Sequence, residues 1–171
     1  NELREEGATQ LGRFLRQMTS LRALHLGKND FGAAGMTSLA PALKYLTGLV
    51  ELHLDSNELG GEGCTAMATA LRCLTRLVVL YLHNNNFGFN GGRVLGISLR
   101  GTIGLQKLSL QNNALGADGV KALGACLVRL QNLRVLYLLF NGIGNAVDSV
   151  VEELNTVLSH MTDLRLIIND S

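Results

Sequence analysis

The feature that most constrains this chain is a period. Asn29, Asn57, Asn85, Asn113 and Asn141 stand 28 residues apart, and the same step carried outward reaches Asn1 and Asn169. Leu21, Leu49, Leu77, Leu105 and Leu133 open the units. Further leucines follow three and five places later, at Leu24/Leu26, Leu52/Leu54, Leu80/Leu82, Leu108/Leu110 and Leu136/Leu138, and Met161, Leu164 and Leu166 continue the series. A unit this short cannot bury its own apolar face, so copies must stack and share one core. The chain therefore reads as a single domain over 1–171, with five full repeats starting near 21, 49, 77, 105 and 133 and partial repeats over 1–20 and 161–171. Because it opens and closes inside partial units, it is expected to be a fragment of a longer protein.

Within each unit the leucines at the fourth and sixth places have the alternation of a strand with one buried face. The sets Gly35-Leu39-Leu43-Leu46, Gly63-Met67-Leu71-Leu74 and Gly119-Leu123-Leu127-Leu130 have the three-to-four spacing of one apolar helix face. Strand and helix alternating at this interval must give parallel strands joined by right-handed crossovers. The predicted fold class is an α/β right-handed solenoid, with parallel strands on the concave face and helices on the convex face. An asparagine at each strand end can satisfy turn backbone groups with both its amide donor and its carbonyl. Gly32, Gly60, Gly88, Gly116 and Gly144, three places later, sit where a positive φ is expected.

The unit L-x-x-L-x-L-x-x-N-x-(L/I/F)-G, followed in four of five units by G-x-x-x-(L/M)-x-x-x-L, resembles the leucine-rich repeat family across practically the whole chain. Within that family it looks like the ribonuclease-inhibitor-like subfamily, which includes ribonuclease inhibitor, the sensor arms of NOD-like receptors, the activating protein of the Ran GTPase, and tropomodulin. The resemblance implies a horseshoe arc and a non-enzymatic protein-binding scaffold, with a structural subunit of a larger multi-subunit assembly as an alternative. It also leaves open an activator of a small GTPase. Local departures are expected to perturb the convex side. Gly96, Gly101 and Thr102 should loosen the third unit, and Pro41 lies inside a helical segment, where proline costs about 3 kcal/mol. In the fifth unit Val147 replaces a glycine and Asn155 a leucine, with Leu154 and Leu158 expected to take over the burial.

Composition narrows the function. Fifteen Lys+Arg against 14 Asp+Glu give a net charge of +1, so bulk charge does not suggest nucleic acid. The longest apolar runs, such as Leu77 to Leu82 and Val135 to Phe140, fall short of the roughly 18 residues of a membrane helix. Three cysteines, Cys64, Cys73 and Cys126, cannot all pair, which predicts free thiols and an intracellular, cytoplasmic location. No CxxC, HExxH or Walker-type motif occurs, and no cofactor, metal set or small-molecule substrate is assigned.

Recognition is expected where outward side chains vary between repeats. On the concave face these are His25, Glu51, His53, Asp55, Tyr81, His83, Lys107, Gln111, Tyr137, Leu139, Phe140 and Ile167. The amino-terminal half is polar and the carboxy-terminal half apolar, with Val135 and Ile168 joining the latter. Side chains on a flat sheet project side by side, so the histidine cluster is assigned to polar recognition rather than to a metal. Ser109 is read as lacking a histidine on its own or adjacent strands, which argues against nucleophilic catalysis. Arg16, Lys44, Arg72 and Arg100 share one register near helix ends and form a basic row. Favourable placement at helix carboxy-termini explains that row, and a phosphate or RNA track is the alternative.

Overall fold

Each repeat devotes only three residues to its strand, enough for one inward leucine flanked by two outward side chains. A computed structural model of the chain describes residues 2–168. The strands are β1 (Ala23–His25), β2 (Glu51–His53), β3 (Val79–Tyr81), β4 (Lys107–Ser109), β5 (Val135–Tyr137) and β6 (Arg165–Ile167). They form one parallel sheet in chain order. The helices α1 (Arg4–Leu15), α2 (Gly32–Leu43), α3 (Gly60–Leu71), α4 (Gly88–Ser98), α5 (Gly116–Leu127) and α6 (Val147–Val157) alternate with them. The fold is therefore the α/β solenoid that the period predicts.

One core runs the length of the stack. Leu52, Leu80, Leu108 and Leu136 enter it from the strands, and Leu39, Met67, Leu95 and Leu123 from the helices. Phe31, Leu59, Phe87, Leu115 and Ile143, two residues after each asparagine, close it at the turns. Burying one such side chain contributes roughly 1.5–3 kcal/mol, so the leucine columns supply most of the favourable free energy.

The asparagines do more than cap their own turns. The Nδ2 of Asn85 donates to Leu82 O (3.0 Å) in its own repeat and to Leu54 O (2.9 Å) in the preceding one. Its Oδ1 accepts the backbone N–H of Asn57 at 3.0 Å. Asn57, Asn113 and Asn141 repeat this arrangement toward their own preceding units. Each of these amides thus staples two repeats. Helices α2 to α5 then begin with a left-handed glycine; φ is +62° at Gly32 and +66° at Gly116. Asn1 and Asn169 lie outside the described residues.

The last repeat departs from the sequence register. Continuation of the period pairs Leu164 with Leu136 and Arg165 with Tyr137, whereas the structure pairs Leu166 with Leu136, Arg165 with Val135 and Ile167 with Tyr137. A 3-10 turn over Gly144–Ala146 precedes α6 and delays it. A shift of two residues keeps every side chain on its own face, so the leucine pattern does not oppose it. Leu154 and Leu158 are buried, as expected for substitutes of the missing leucine.

The third unit is irregular but not loose. A 3-10 turn over Leu99–Gly101 follows α4, and Thr102 is fully buried with its hydroxyl donating to Leu99 O at 2.7 Å. A Cβ at Gly92 would collide with the Gly119 carbonyl oxygen, and one at Gly96 would lie 2.6 Å from the Cβ of Cys126. The glycines of α4 let α5 approach closely. Pro41 sits near the end of α2, which continues to Leu43.

Asn85→Ala leaves the Asn57 N–H and the Leu54 and Leu82 carbonyls without this partner in a buried place. The expected loss is about 3 kcal/mol, or a Tm lower by roughly 6–12 °C for a chain of this size. Asn84→Ala, one residue away on an exposed site, loses only the amide's tolerance of positive φ and two exposed hydrogen bonds, and is expected to lower Tm by roughly 2–4 °C. Thermal unfolding followed by circular dichroism checks both.

Candidate functional site

Strand register converts sequence columns into rows on the sheet. One row runs His25, His53, Tyr81, Ser109, Tyr137 and Ile167, and a second runs Ala23, Glu51, Val79, Lys107, Val135 and Arg165. Just past the strand ends lie Gly27, Asp55, His83, Gln111 and Leu139, and then Lys28, Ser56, Asn84, Asn112 and Phe140. The concave residues singled out from the sequence therefore share one surface. The two-residue shift moves both residues one place along the face: Ile167, not Arg165, stands beside Tyr137, and Arg165, not Asp163, beside Val135.

At the amino-terminal end the rings stack along the first row. His25 and His53 lie 4.1 Å apart at 7°, and His53 and Tyr81 lie 4.4 Å apart at 24°. Glu51 places Oε1 2.8 Å from His53 Nε2 and 3.3 Å from His25 Nε2. Burial holds the His53 pKa below its ordinary 6.5, reinforced by His25 and opposed by Glu51 and Asp55. The bridging carboxylate was not grouped with the histidines in the sequence reading. Its signal was available, since residues two apart on a strand share a face.

A second cluster follows. His83 Nε2 is 3.6 Å from Asp55 Oδ2, and His83 Nδ1 is 3.3 Å from Ser109 Oγ. Ser109 therefore does have a histidine in reach, diagonally across from β3, contrary to the sequence expectation. The order carboxylate, imidazole, hydroxyl brings together the residue types of a nucleophilic site, but the surroundings do not serve one. Ser109 is 5% exposed, and the Leu110 and Asn112 N–H groups beside it donate to Tyr137 O and Leu139 O. These amides are committed to the sheet rather than available to an oxyanion. The contacts tie three repeats together.

The rim carries a polar ladder: Asn84 Nδ2 donates to Ser56 Oγ at 3.2 Å, and Asn112 Nδ2 to Asn84 Oδ1 at 2.9 Å. All three residues have positive φ, which Asn adopts readily. Phe140 ends the row with φ +55° and 58% exposure. Tyr137, Leu139 and Ile167 are half-buried around this end. On the opposite side of the molecule, Arg16, Lys44 and Arg72 each directly follow the last residue of a helix, and Arg100 lies in the 3-10 turn after α4. All four are exposed. Their placement is the one favoured by the negative end of a helix dipole. Among the described residues no helix is long and apolar enough to cross a membrane.

Three segments of the chain, 17–40, 46–68 and 105–124, match the family model described as Leucine Rich repeat. No curated protein matches the chain. Among solved structures it is similar to the tropomodulin C-terminal domain of Caenorhabditis elegans. The TM-score is 0.71 at 13% identity, over 90% of this chain and 92% of that one. The fold is that of a leucine-rich-repeat solenoid.

Removing His25 takes away both the ring that covers one face of His53 and the charge that disfavours its protonation. His25→Ala is expected to raise the His53 pKa, read as the midpoint of the His53 ring-proton shift in an NMR pH titration. A midpoint that falls would contradict the assigned causes.

Proposed function

We propose that the chain is a protein-interaction module that binds its partner through the concave face, with the apolar end around Tyr137, Leu139, Phe140 and Ile167 as the anchor. The period of 28 residues with a helix in each unit supports a place in the ribonuclease-inhibitor-like subfamily. Leucine-rich repeats are protein-binding modules in general, and a sheet of outward side chains that vary between repeats suits that use. Three free cysteines support a reducing, cytoplasmic setting. The anchor is continuous with the polar stack of His25, His53 and Tyr81, so one partner can span apolar and polar contacts along the same rows.

Phe140 carries this reading. A bulky residue in the left-handed region costs on the order of 1–2 kcal/mol, and exposing its ring wastes apolar area. The neighbouring rim positions use Ser56, Asn84 and Asn112, which suit the backbone and hydrogen-bond to each other. A local choice that opposes stability at an exposed position is the mark of a binding residue.

Phe140→Asn separates stability from binding. It is expected to stabilise the chain by about 1 kcal/mol, by relieving the backbone and extending the amide ladder to Asn112. Partner affinity, measured for a protein captured from native extract by the wild-type chain, is expected to fall by roughly tenfold or more. Equal affinity for the two chains would remove the apolar end as the anchor.

A further inference from the structure

Outside the anchor, the least explained group is the nitrogen of His53 held against Glu51. His53 Nε2 is buried and only 2.8 Å from Glu51 Oε1, yet the contact is poorly aligned as a hydrogen bond. An imidazole nitrogen whose proton sits on Nδ1 opposes a carboxylate oxygen this close, and a proton on Nε2 or a metal ion between the two atoms relieves that opposition. His25 Nε2 approaches the same oxygen at 3.3 Å, and the three potential ligand atoms all lie within 4.8 Å of one another.

We propose that His25, Glu51 and His53 bind a divalent first-row transition cation, with zinc as the physiological occupant. Metal–ligand bonds of about 2.0–2.1 Å at tetrahedral angles separate neighbouring ligand atoms by roughly 3.3 Å. The separation from His25 Nε2 to Glu51 Oε1 matches that value, and the one from His53 Nε2 is about 0.5 Å shorter. Two imidazoles and one carboxylate suit zinc, copper or nickel, whereas calcium and magnesium prefer sites made wholly of oxygen. Asp55 lies close enough to act on His53 electrostatically, adding negative charge that favours a cation, while its own contact is with His83.

The stacked rings do not yet point at a common centre. Parallel imidazoles direct their lone pairs side by side, so capture requires one ring to turn. His25, whose side chain is 56% exposed, is the ring with room to do so; His53 is held between His25 and Tyr81. Binding therefore breaks the His25–His53 stack and widens the Glu51–His53 separation by about 0.5 Å. A fourth coordination position then opens onto the concave face, where water or a partner's side chain completes it. This site does not depend on the apolar anchor, and either can fail alone.

The test is titration of the chelator-treated chain with zinc chloride by calorimetry, repeated with cobalt chloride and read by visible absorption. One zinc per chain is expected, with the His25 and His53 ring protons shifting in the NMR spectrum. Glu51→Gln keeps the shape of the side chain, and His25→Ala removes only an exposed ring. Each is expected to weaken binding by at least about tenfold with an unchanged circular dichroism spectrum, while His83→Ala leaves it unaltered. Calcium and magnesium at equal concentration are not expected to displace the metal. The absence of saturable binding up to roughly 1 mM zinc, a threshold near −4 kcal/mol, overturns the proposal. So does equal affinity in Glu51→Gln and His25→Ala, which places the ion elsewhere, or displacement by calcium.

Discussion

The rest of the structure depends on the side-chain amide of one asparagine per repeat. Backbone hydrogen bonds such as Leu54 N–H to Tyr81 O and Ser56 N–H to His83 O join the short strands of neighbouring units, and the turn after each strand would leave further backbone groups buried and unpaired. Asn57, Asn85, Asn113 and Asn141 satisfy these groups, because each bonds its own turn and the repeat before it. Charge pairs at the surface are secondary to this. The apolar core makes stacking favourable, and the amides act with the backbone ladder to fix which residue of one repeat stands beside which residue of the next.

That register creates the chemistry of the concave face. Side chains 28 residues apart in the chain become neighbours in the sheet, so His25, His53 and Tyr81 stack as one file of rings. Glu51, placed two residues before His53, then falls between two imidazoles. The same geometry gathers Tyr137 and Ile167 at the other end. Repetition supplies the scaffold, and departures from repetition supply the candidate sites. Phe140 in a row of small polar residues, and histidines in a row that also holds tyrosine and serine, are such departures.

Much of this was legible in the sequence because its period is long and its pattern alternates. The strands, the helices, the inward leucines and the turn role of the asparagines all follow from spacing. The register of β6 was not legible, since a two-residue shift preserves which side chains face inward and so leaves the leucine pattern intact. Nor was the tightness of α4 against α5, where Gly96, which reads as loosening, instead allows close approach to Cys126. At the site, the rows were readable but the contacts between rows were not. His83 reaches Ser109 diagonally and Glu51 reaches two histidines on different strands, and both depend on side-chain torsions that a column of letters does not contain.

The most direct measurement is native-state hydrogen exchange at the backbone N–H groups of Asn57, Asn85 and Asn113, each of which donates to the Oδ1 of the next repeat's asparagine. If the amide staples couple the repeats, these three protons exchange only through opening of the stack, with free energies close to that of global unfolding. They should be as protected as the strand-end N–H groups of Leu54 and Leu82. Rapid exchange at the asparagines while Leu54 and Leu82 stay protected would contradict the coupling, and would leave the leucine core and the backbone ladder to hold the repeats in register.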